Sequence, residues 1–133
     1  MSSTARTGLS LLALIALSLA SAAGAQTTAA HKTTLQDIPF PLPQYHTTTI
    51  RTVVDRGGVV APHTHPGVEM GYVLDGQALL KISGQPPRSL AAGDSFSVPQ
   101  RTVHSVENTG SGALTMLSTY VVEKGQPVAS PAP

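Results

Sequence analysis

The chain has 133 residues, enough for one domain, and its 8 Lys and Arg against 7 Asp and Glu give a formal net charge of +1. This balance lacks the basic surplus that binds nucleic acid or an anionic membrane surface, so we expect neither partner. Cys and Trp are absent, which excludes disulfides, thiolate metal ligands and a Cys nucleophile, and leaves a mainly aliphatic core.

The first 25 residues have the pattern of a secretory signal peptide. Arg6 supplies a positive charge, residues 9–19 (LSLLALIALSL) form an apolar run, and Ala23-Gly24-Ala25 is an A-x-A cleavage site. The run is shorter than the roughly 20 residues that span a bilayer, which favours a cleaved signal over a retained anchor. We therefore expect an exported protein, periplasmic or secreted, whose mature chain begins at Gln26 with equal numbers of basic and acidic residues.

The rest of the chain has the pattern of short β-strands between two irregular ends. Residues 26–44 are polar and then proline-punctuated, which predicts an extended lead. From Tyr45 onward, segments rich in β-branched and aliphatic residues alternate with Gly and Pro turns. The predicted strands are residues 47–54, 59–61, 70–74, 78–82, 95–98, 103–106 and 114–122. Short strands without helical periodicity indicate an all-β sandwich or barrel, the jelly roll among them. Residues 123–133, rich in Pro, Ala and Ser, are expected to be disordered.

Three histidines and a glutamate have the types and spacing of metal ligands. His63 and His65 are two residues apart, so on a strand both point to one face, with Cα atoms about 6–7 Å apart. Glu69 follows a Pro-Gly turn that can return the chain to the same point, and a later stretch adds His104. These four side chains are enough for a metal site. The alternative is that they hydrogen-bond to one another and to water without a metal, although burying unpaired polar groups is costly.

These two stretches resemble the two sequence motifs of the cupin superfamily. The first motif runs glycine, five residues, His-x-His, three or four residues, Glu, six residues, glycine, and residues 57–76 match it throughout. The second is similar to residues 93–108, with Arg101 where the family usually has glycine. The matching positions are Gly57, His63, His65, Glu69 and Gly76 in the first motif and Gly93, Pro99, His104 and Asn108 in the second.

The resemblance implies a small single-domain cupin of the type-2 conserved-barrel kind, a double-stranded β-helix or jelly-roll barrel over residues 45–122. It also implies that one divalent metal ion is bound inside the barrel, with no other cofactor. The implied ligands are His63, His65, Glu69 and His104. Fe and Mn are common in the family, and Zn, Ni, Co and Cu also suit these ligands. Small cupins resemble one another in forming homodimers by sheet extension, for which residues 38–44 are a candidate segment.

Two functions fit such a site. Three imidazoles and one carboxylate leave up to two positions of an octahedral ion for water, O₂ or a small-molecule substrate. The first hypothesis is therefore a metal-dependent oxidoreductase of the dioxygenase type or an isomerase; an oxalate-type decarboxylase is disfavoured because no acidic lid segment is visible. The second is a non-catalytic cupin that binds or senses a small ligand.

The sequence does not identify a catalytic residue beyond the metal ligands. Asp94 is expected to cap a turn, and Glu107 to point away from the histidine of its strand. Arg101 either reaches an anionic substrate at the barrel mouth or is a solvated turn residue. The aromatic residues Tyr72, Phe96 and Tyr120 are expected to pack in the core or an interface rather than to contact substrate.

Overall fold

The computed structural model describes residues 30–38 and 40–132. The predicted signal peptide, residues 1–25, lies outside the described residues. Within residues 30–38 and 40–132, no helix is long and apolar enough to cross a membrane. The ten strands are β1 (Ala30–Ile38), β2 (Tyr45–Val54), β3 (Val59–Thr64), β4 (Gly67–Asp75), β5 (Gln77–Ile82), β6 (Arg88–Ala91), β7 (Ser95–Val98), β8 (His104–Asn108), β9 (Leu114–Glu123) and β10 (Ser130–Pro131).

The strands form two five-stranded sheets that enclose the core between them. The first sheet has the order β1-β2-β9-β4-β7 and the second β10-β3-β8-β5-β6, with every pair antiparallel. Along β9, every second side chain from Leu114 to Val122 is buried, as expected for a strand with one face toward the core. This architecture confirms the prediction of an all-β jelly roll.

The core is aliphatic, as the absence of Trp and Cys predicts. Its largest cluster includes Val54, Val73, Leu80 and Leu114, each at most 1% exposed. Truncation of such a side chain, for example Leu80→Ala, removes packing worth about 2–5 kcal/mol. A smaller cluster of Ile50, Tyr120 and Val122, with Val128 packed against it, adjoins the buried histidines. Apolar side chains therefore pack around the buried histidines.

All seven predicted strands are present, with ends shifted by at most three residues. Strand β6 has no counterpart among the predictions, because four residues that begin with Arg and follow two prolines carry little strand signal.

The described parts of the lead and of the tail are more ordered than their composition predicts. The lead contributes β1, which pairs with β2 over its length. This part of the lead therefore belongs to the first sheet of the same chain. The expectation of a disordered tail is wrong for the described part: β10 pairs with β3, and the backbone N–H of Ala132 donates to Pro62 O at 3.0 Å. The physical reason is that β2 and β3 would otherwise be sheet edges, and the terminal segments satisfy their backbone groups.

Candidate metal centre

The structure brings the four predicted ligands together inside the barrel. Strand β3 carries His63, which lies directly opposite His104 of β8 in the antiparallel register. His65 follows β3, and Glu69 is one of the inward-facing residues of β4. His65, Glu69 and His104 are 2%, 5% and 2% exposed, whereas His63 is half-buried at the rim.

Three ligand atoms form a nearly equilateral triangle. The Nε2 atoms of His65 and His104 are 3.2 Å apart, and Oε2 of Glu69 is 3.1 Å from each. Two ligands about 2.1 Å from a metal and at right angles to each other are about 3.0 Å apart, so the triangle has the size of one octahedral face. His63 supplies a fourth donor, since ligand nitrogens of the three histidines all lie within 4.8 Å of one another.

Backbone carbonyls set the orientation of all three imidazole rings. The Nδ1 donors and their acceptors are His63 to Ala61 O at 2.8 Å, His104 to Thr102 O at 3.0 Å and His65 to Val128 O at 2.6 Å. Because a carbonyl oxygen only accepts, Nδ1 carries the proton of each neutral ring, and Nε2 is left with its lone pair. Such outer hydrogen bonds are characteristic of metal-ligating histidines.

The donor set therefore fits a metal cation. In neutral rings the Nε2 atoms of His65 and His104 face each other as acceptors, next to the anionic Oε2 of Glu69. Lone pairs at these distances repel unless a cation lies between them. That cation is a proton, which turns one ring into an imidazolium that donates to Glu69, or a divalent metal that takes all three lone pairs. A proton and a metal ion therefore compete for the same three atoms, Nε2 of His65, Nε2 of His104 and Oε2 of Glu69.

Tyr120 belongs to this centre, although the sequence predicted only a packing role. Its hydroxyl donates to Oε1 of Glu69 at 2.9 Å, which leaves Oε2 to face the histidines. The ring also packs in the core, 4% exposed and 4.8 Å from the His65 ring. The contact depends on the pairing of β4 with β9, which places Tyr120 opposite Glu69. Alternation within β9 indicates that Tyr120 points inward, but the register between the strands is not visible in the sequence.

The environment sets the charge of each group. Burial alone raises the pKa of the Glu69 carboxyl, but the hydrogen bonds that His104 and His65 donate when Nε2 carries a proton, together with one from Ser118, outweigh it and hold that pKa well below its usual range. Burial lowers the pKa of His63 to about 4. Burial and the charge of Glu69 raise the pKa of the Tyr120 phenol above its ordinary value. At neutral pH the centre thus has an anionic carboxylate and a neutral rim histidine, which are the states that metal coordination requires, and a protonated tyrosine that donates to the carboxylate.

Two cavities lead to the ligands. The inner one, about 20 Å³, is bordered by His63, Glu69 and His104 and is large enough for one water molecule. The outer one, about 230 Å³, is bordered by His63, Lys32 and the tail residues 129–131. A larger concavity of about 560 Å³, formed by the loops around Gly76 and residues 110–113, shares no residue with the centre.

Arg101 has a role in the turn before His104. Its φ of 57° lies in the left-handed region, which glycine adopts freely and other residues adopt at a cost. Its N–H donates to His65 O at 2.9 Å, so the turn is tied to a ligand residue. The guanidinium donates to Oε1 of Glu123 at 3.2 Å and borders neither cavity at the ligands.

The other candidates lie outside the centre. Asp94 caps its turn by accepting from Ala91 N at 2.8 Å, and Glu107 points away from the centre toward Lys81, 3.2 Å distant; both predictions are confirmed. Phe96 is buried as predicted, whereas Tyr72 is 45% exposed on the outer face of its sheet. The remaining histidines pair with carboxylates elsewhere, His31 with Asp55 at 3.8 Å and His46 with Asp37 at 2.8 Å.

The fold and the centre together define a jelly-roll barrel with a cluster of His and Glu side chains that could hold a metal ion. Comparison with known families agrees: a family model described as a cupin domain matches residues 50–120, just over half of the 133 residues. The chain belongs to the cupin family.

Individual relatives match only in part. The HTH-type transcriptional regulator PuuR of Escherichia coli is 38% identical over 56 residues, which are 42% of this chain and 30% of that protein. This chain therefore spans less than a third of the regulator. The regular elements of the described residues are all strands, so this part of the chain contains no helix-turn-helix.

Solved structures share the fold, and two of them align with most of this chain. An uncharacterized conserved protein with a double-stranded β-helix domain from Klebsiella pneumoniae superposes with a TM-score of 0.65 at 17% identity, over 78% of this chain and 84% of that one. A recombinant oxalate oxidase in complex with glycolate gives a TM-score of 0.64 at 22% identity, over 80% of this chain and 57% of that one. At these identities the likeness concerns the fold alone.

Proposed function

We propose that this protein is an exported metal-dependent cupin that binds one divalent ion, Fe or Mn in the first instance, and acts on a small organic molecule at that ion. The ligands are His63, His65, Glu69 and His104. The observation that carries the proposal is the triangle of two Nε2 atoms and one carboxylate oxygen with sides of 3.1–3.2 Å, in which each neutral ring turns a lone pair inward. The chemistry is that of a dioxygenase-type oxidoreductase or an isomerase.

The chain's own residues position and isolate the ion. Backbone carbonyls hold the imidazole rings, and Tyr120 holds the carboxylate of Glu69 through Oε1. Apolar side chains, Val60, Val106 and Met116, border the inner cavity and restrict its water content. The metal, when bound, supplies a Lewis-acidic or redox-active centre.

A second candidate is a non-catalytic cupin that binds or senses a small ligand. The size of the inner cavity favours it, because about 20 Å³ accepts a water molecule and excludes an organic substrate from the space beside the ligands. An organic molecule then occupies the outer pocket of about 230 Å³, which shares His63 with the inner cavity.

The test starts from the full 133-residue chain, expressed with its signal in a bacterium that exports proteins. Support for the proposal is a periplasmic or secreted product that begins at Gln26 and contains about one metal ion per chain by elemental analysis. A cytoplasmic, uncleaved product would contradict export. A folded product that takes up no Fe, Mn or Zn would overturn the metal proposal.

Catalysis is tested on the metal-loaded protein with catechols, flavonols and keto acids as substrates. O₂ uptake, or isomerisation without O₂ uptake, supports the enzyme. The matched variants are His104→Ala, which removes a ligand, and His31→Ala, which changes an exposed histidine outside the centre. O₂ uptake that persists in the His104→Ala variant would show that the activity does not depend on this metal centre. A metal-loaded protein that turns over none of these compounds supports the second candidate.

We further propose a homodimer formed by extension of the first sheet. Strand β1 is the edge of that sheet, so its outer backbone groups face away from β2. The edge and the following loop expose four large apolar side chains, each about half exposed: Leu35, Ile38, Phe40 and Leu42. Light scattering is expected to give twice the chain mass, and Leu35→Lys to give the monomer. A monomeric wild-type protein at micromolar concentration would contradict the proposal.

A further inference from the structure

Lys32, on strand β1, borders both cavities that lead to the candidate metal centre. Lys32 borders both the inner cavity of about 20 Å³ and the outer pocket of about 230 Å³, and His63 is shared by the same two cavities. It stands opposite Thr52 of β2, a buried residue that also borders the inner cavity. Its position is therefore fixed by the pairing of β1 with β2, which the sequence did not predict.

The charge of Lys32 is available to a ligand. No carboxylate in the described part of the chain forms an ion pair with it, and the acidic groups near β1 are occupied elsewhere: Asp55 with His31 and Asp37 with His46. Among the residues that the structure describes, Lys32 is the one Lys or Arg that borders either cavity, and none of those in the wall of the outer pocket is acidic. Its positive charge also acts on the rim histidine, His63, where it disfavours a second positive charge.

The outer pocket has the chemistry of a site for a small acid. On the sides away from Lys32 and His63 its wall is mostly apolar, from Val60, Ala61 and Pro62 on β3 and from Ala129 and Pro131 of the tail. It is an order of magnitude larger than the inner cavity, which gives room for several non-hydrogen atoms. An ammonium group beside an apolar wall favours an anion with a short hydrocarbon part and disfavours a cation.

We propose that Lys32 is a specificity-determining residue that binds the carboxylate of a small aliphatic organic acid in the outer pocket, beside the metal centre. The inference rests on the proposed metal function and narrows its substrate class. The ammonium donates charge-assisted hydrogen bonds to the carboxylate, and the hydrocarbon part contacts the walls from β3 and the tail. A neutral analogue of the same shape lacks this interaction.

The experiment compares an acid with its neutral isostere on the metal-loaded mature protein. Propionate and propionamide are titrated by calorimetry into protein loaded with Co(II), whose visible absorption also reports changes at the metal. The variants are Lys32→Gln, Lys32→Arg and, as a control for net charge, Lys124→Gln, which changes a lysine that borders neither cavity. The metal content of each variant is measured in parallel.

The expected result is that the wild type binds propionate more tightly than propionamide. Lys32→Gln weakens propionate binding about ten-fold, as expected for loss of a charge-assisted hydrogen bond, and leaves propionamide binding and metal content unchanged. Lys32→Arg retains most of the affinity, and Lys124→Gln retains all of it. Equal binding of propionate by Lys32→Gln and the wild type, or an equal loss in Lys124→Gln, would overturn this inference alone. A wild-type protein that holds no metal would overturn the proposed function, and this inference with it.

Discussion

His65 and Val128 are 63 residues apart, and a hydrogen bond of 2.6 Å joins Nδ1 of the ring to the carbonyl oxygen of the valine. The tail thus orients a residue of the candidate metal centre from outside the strands that carry the proposed ligands. Two further contacts hold it there, the pairing of β10 with β3 and the packing of Val128 against the smaller apolar cluster. The tail is part of the centre rather than an appendage to the barrel.

Truncation after Lys124 is therefore expected to weaken metal binding. It removes the acceptor of His65 and leaves the ring free to rotate, and loss of such an outer hydrogen bond lowers metal affinity by about 10–100-fold. Competition with a chromophoric chelator measures the affinity. Val128→Ala is the matched control, because it keeps the carbonyl and loses only packing: its melting temperature is expected to fall while its metal affinity stays near that of the wild type. Unchanged affinity in the truncated protein would show that the tail does not orient His65.

Tyr120→Phe is expected to weaken the centre without a large change in packing. The substitution leaves the ring in the core and removes the donor to Oε1 of Glu69, a buried oxygen. A buried acceptor without its partner costs about 1–3 kcal/mol of folding free energy. Metal affinity is expected to fall about ten-fold, because the carboxylate is no longer held. Denaturant unfolding and chelator competition measure the two effects.

Tyr72→Phe is the control for that experiment. It removes a hydroxyl from a tyrosine that is 45% exposed on the outer face of β4, so stability and metal affinity are expected to stay the same. If both variants behave alike, the contact between Tyr120 and Glu69 has no role in the centre.

Short β-rich segments between Gly and Pro turns were sufficient to predict an all-β sandwich or barrel, and the resemblance to the two cupin motifs implied the jelly roll and the four side chains that meet at its centre. The residues missed by the sequence analysis have their partners on other strands. Tyr120 reaches Glu69 through the register of β9 with β4, and Lys32 reaches the outer pocket through the pairing of β1 with β2. Composition also failed for the tail, because its backbone hydrogen bonds to β3 do not require apolar side chains. Pairing between distant segments is the information that one sequence does not contain.

Stability is expected to fall as the pH drops below about 6.5. An unfolded chain binds a proton at residue 63 near the ordinary histidine value, whereas burial lowers the pKa of folded His63 to about 4. Between these values the unfolded state binds more protons, so the free energy of unfolding decreases as pH falls. Glu69 acts in the same direction, since its folded pKa lies below its usual range and its contribution is lost on acidification. Protons also compete with the metal, so metal release toward pH 5 is expected to accompany the loss.

Melting temperatures between pH 7.5 and 4.5, with and without added metal, test this linkage. His63→Gln removes one titrating group and is expected to flatten the curve of the metal-free protein between pH 6.5 and about 4. His31→Gln, which changes an exposed histidine on β1, is the matched control. A His63→Gln protein with the full wild-type dependence would show that this ring does not contribute to acid lability.

The left-handed backbone conformation of Arg101 explains why the family favours glycine at this position. Two substitutions at Arg101 test this explanation. Its φ of 57° costs a non-glycine residue about 1 kcal/mol or more. Arg101→Ala loses the exposed ion pair with Glu123 and keeps this cost, whereas Arg101→Gly loses the ion pair and removes the cost. The glycine variant is therefore expected to be about 1 kcal/mol more stable than the alanine variant in denaturant unfolding. Metal affinity is expected to be the same in both, because the backbone N–H that donates to His65 O is retained. An alanine variant as stable as the glycine variant would show that the left-handed backbone at this turn is not maintained in solution.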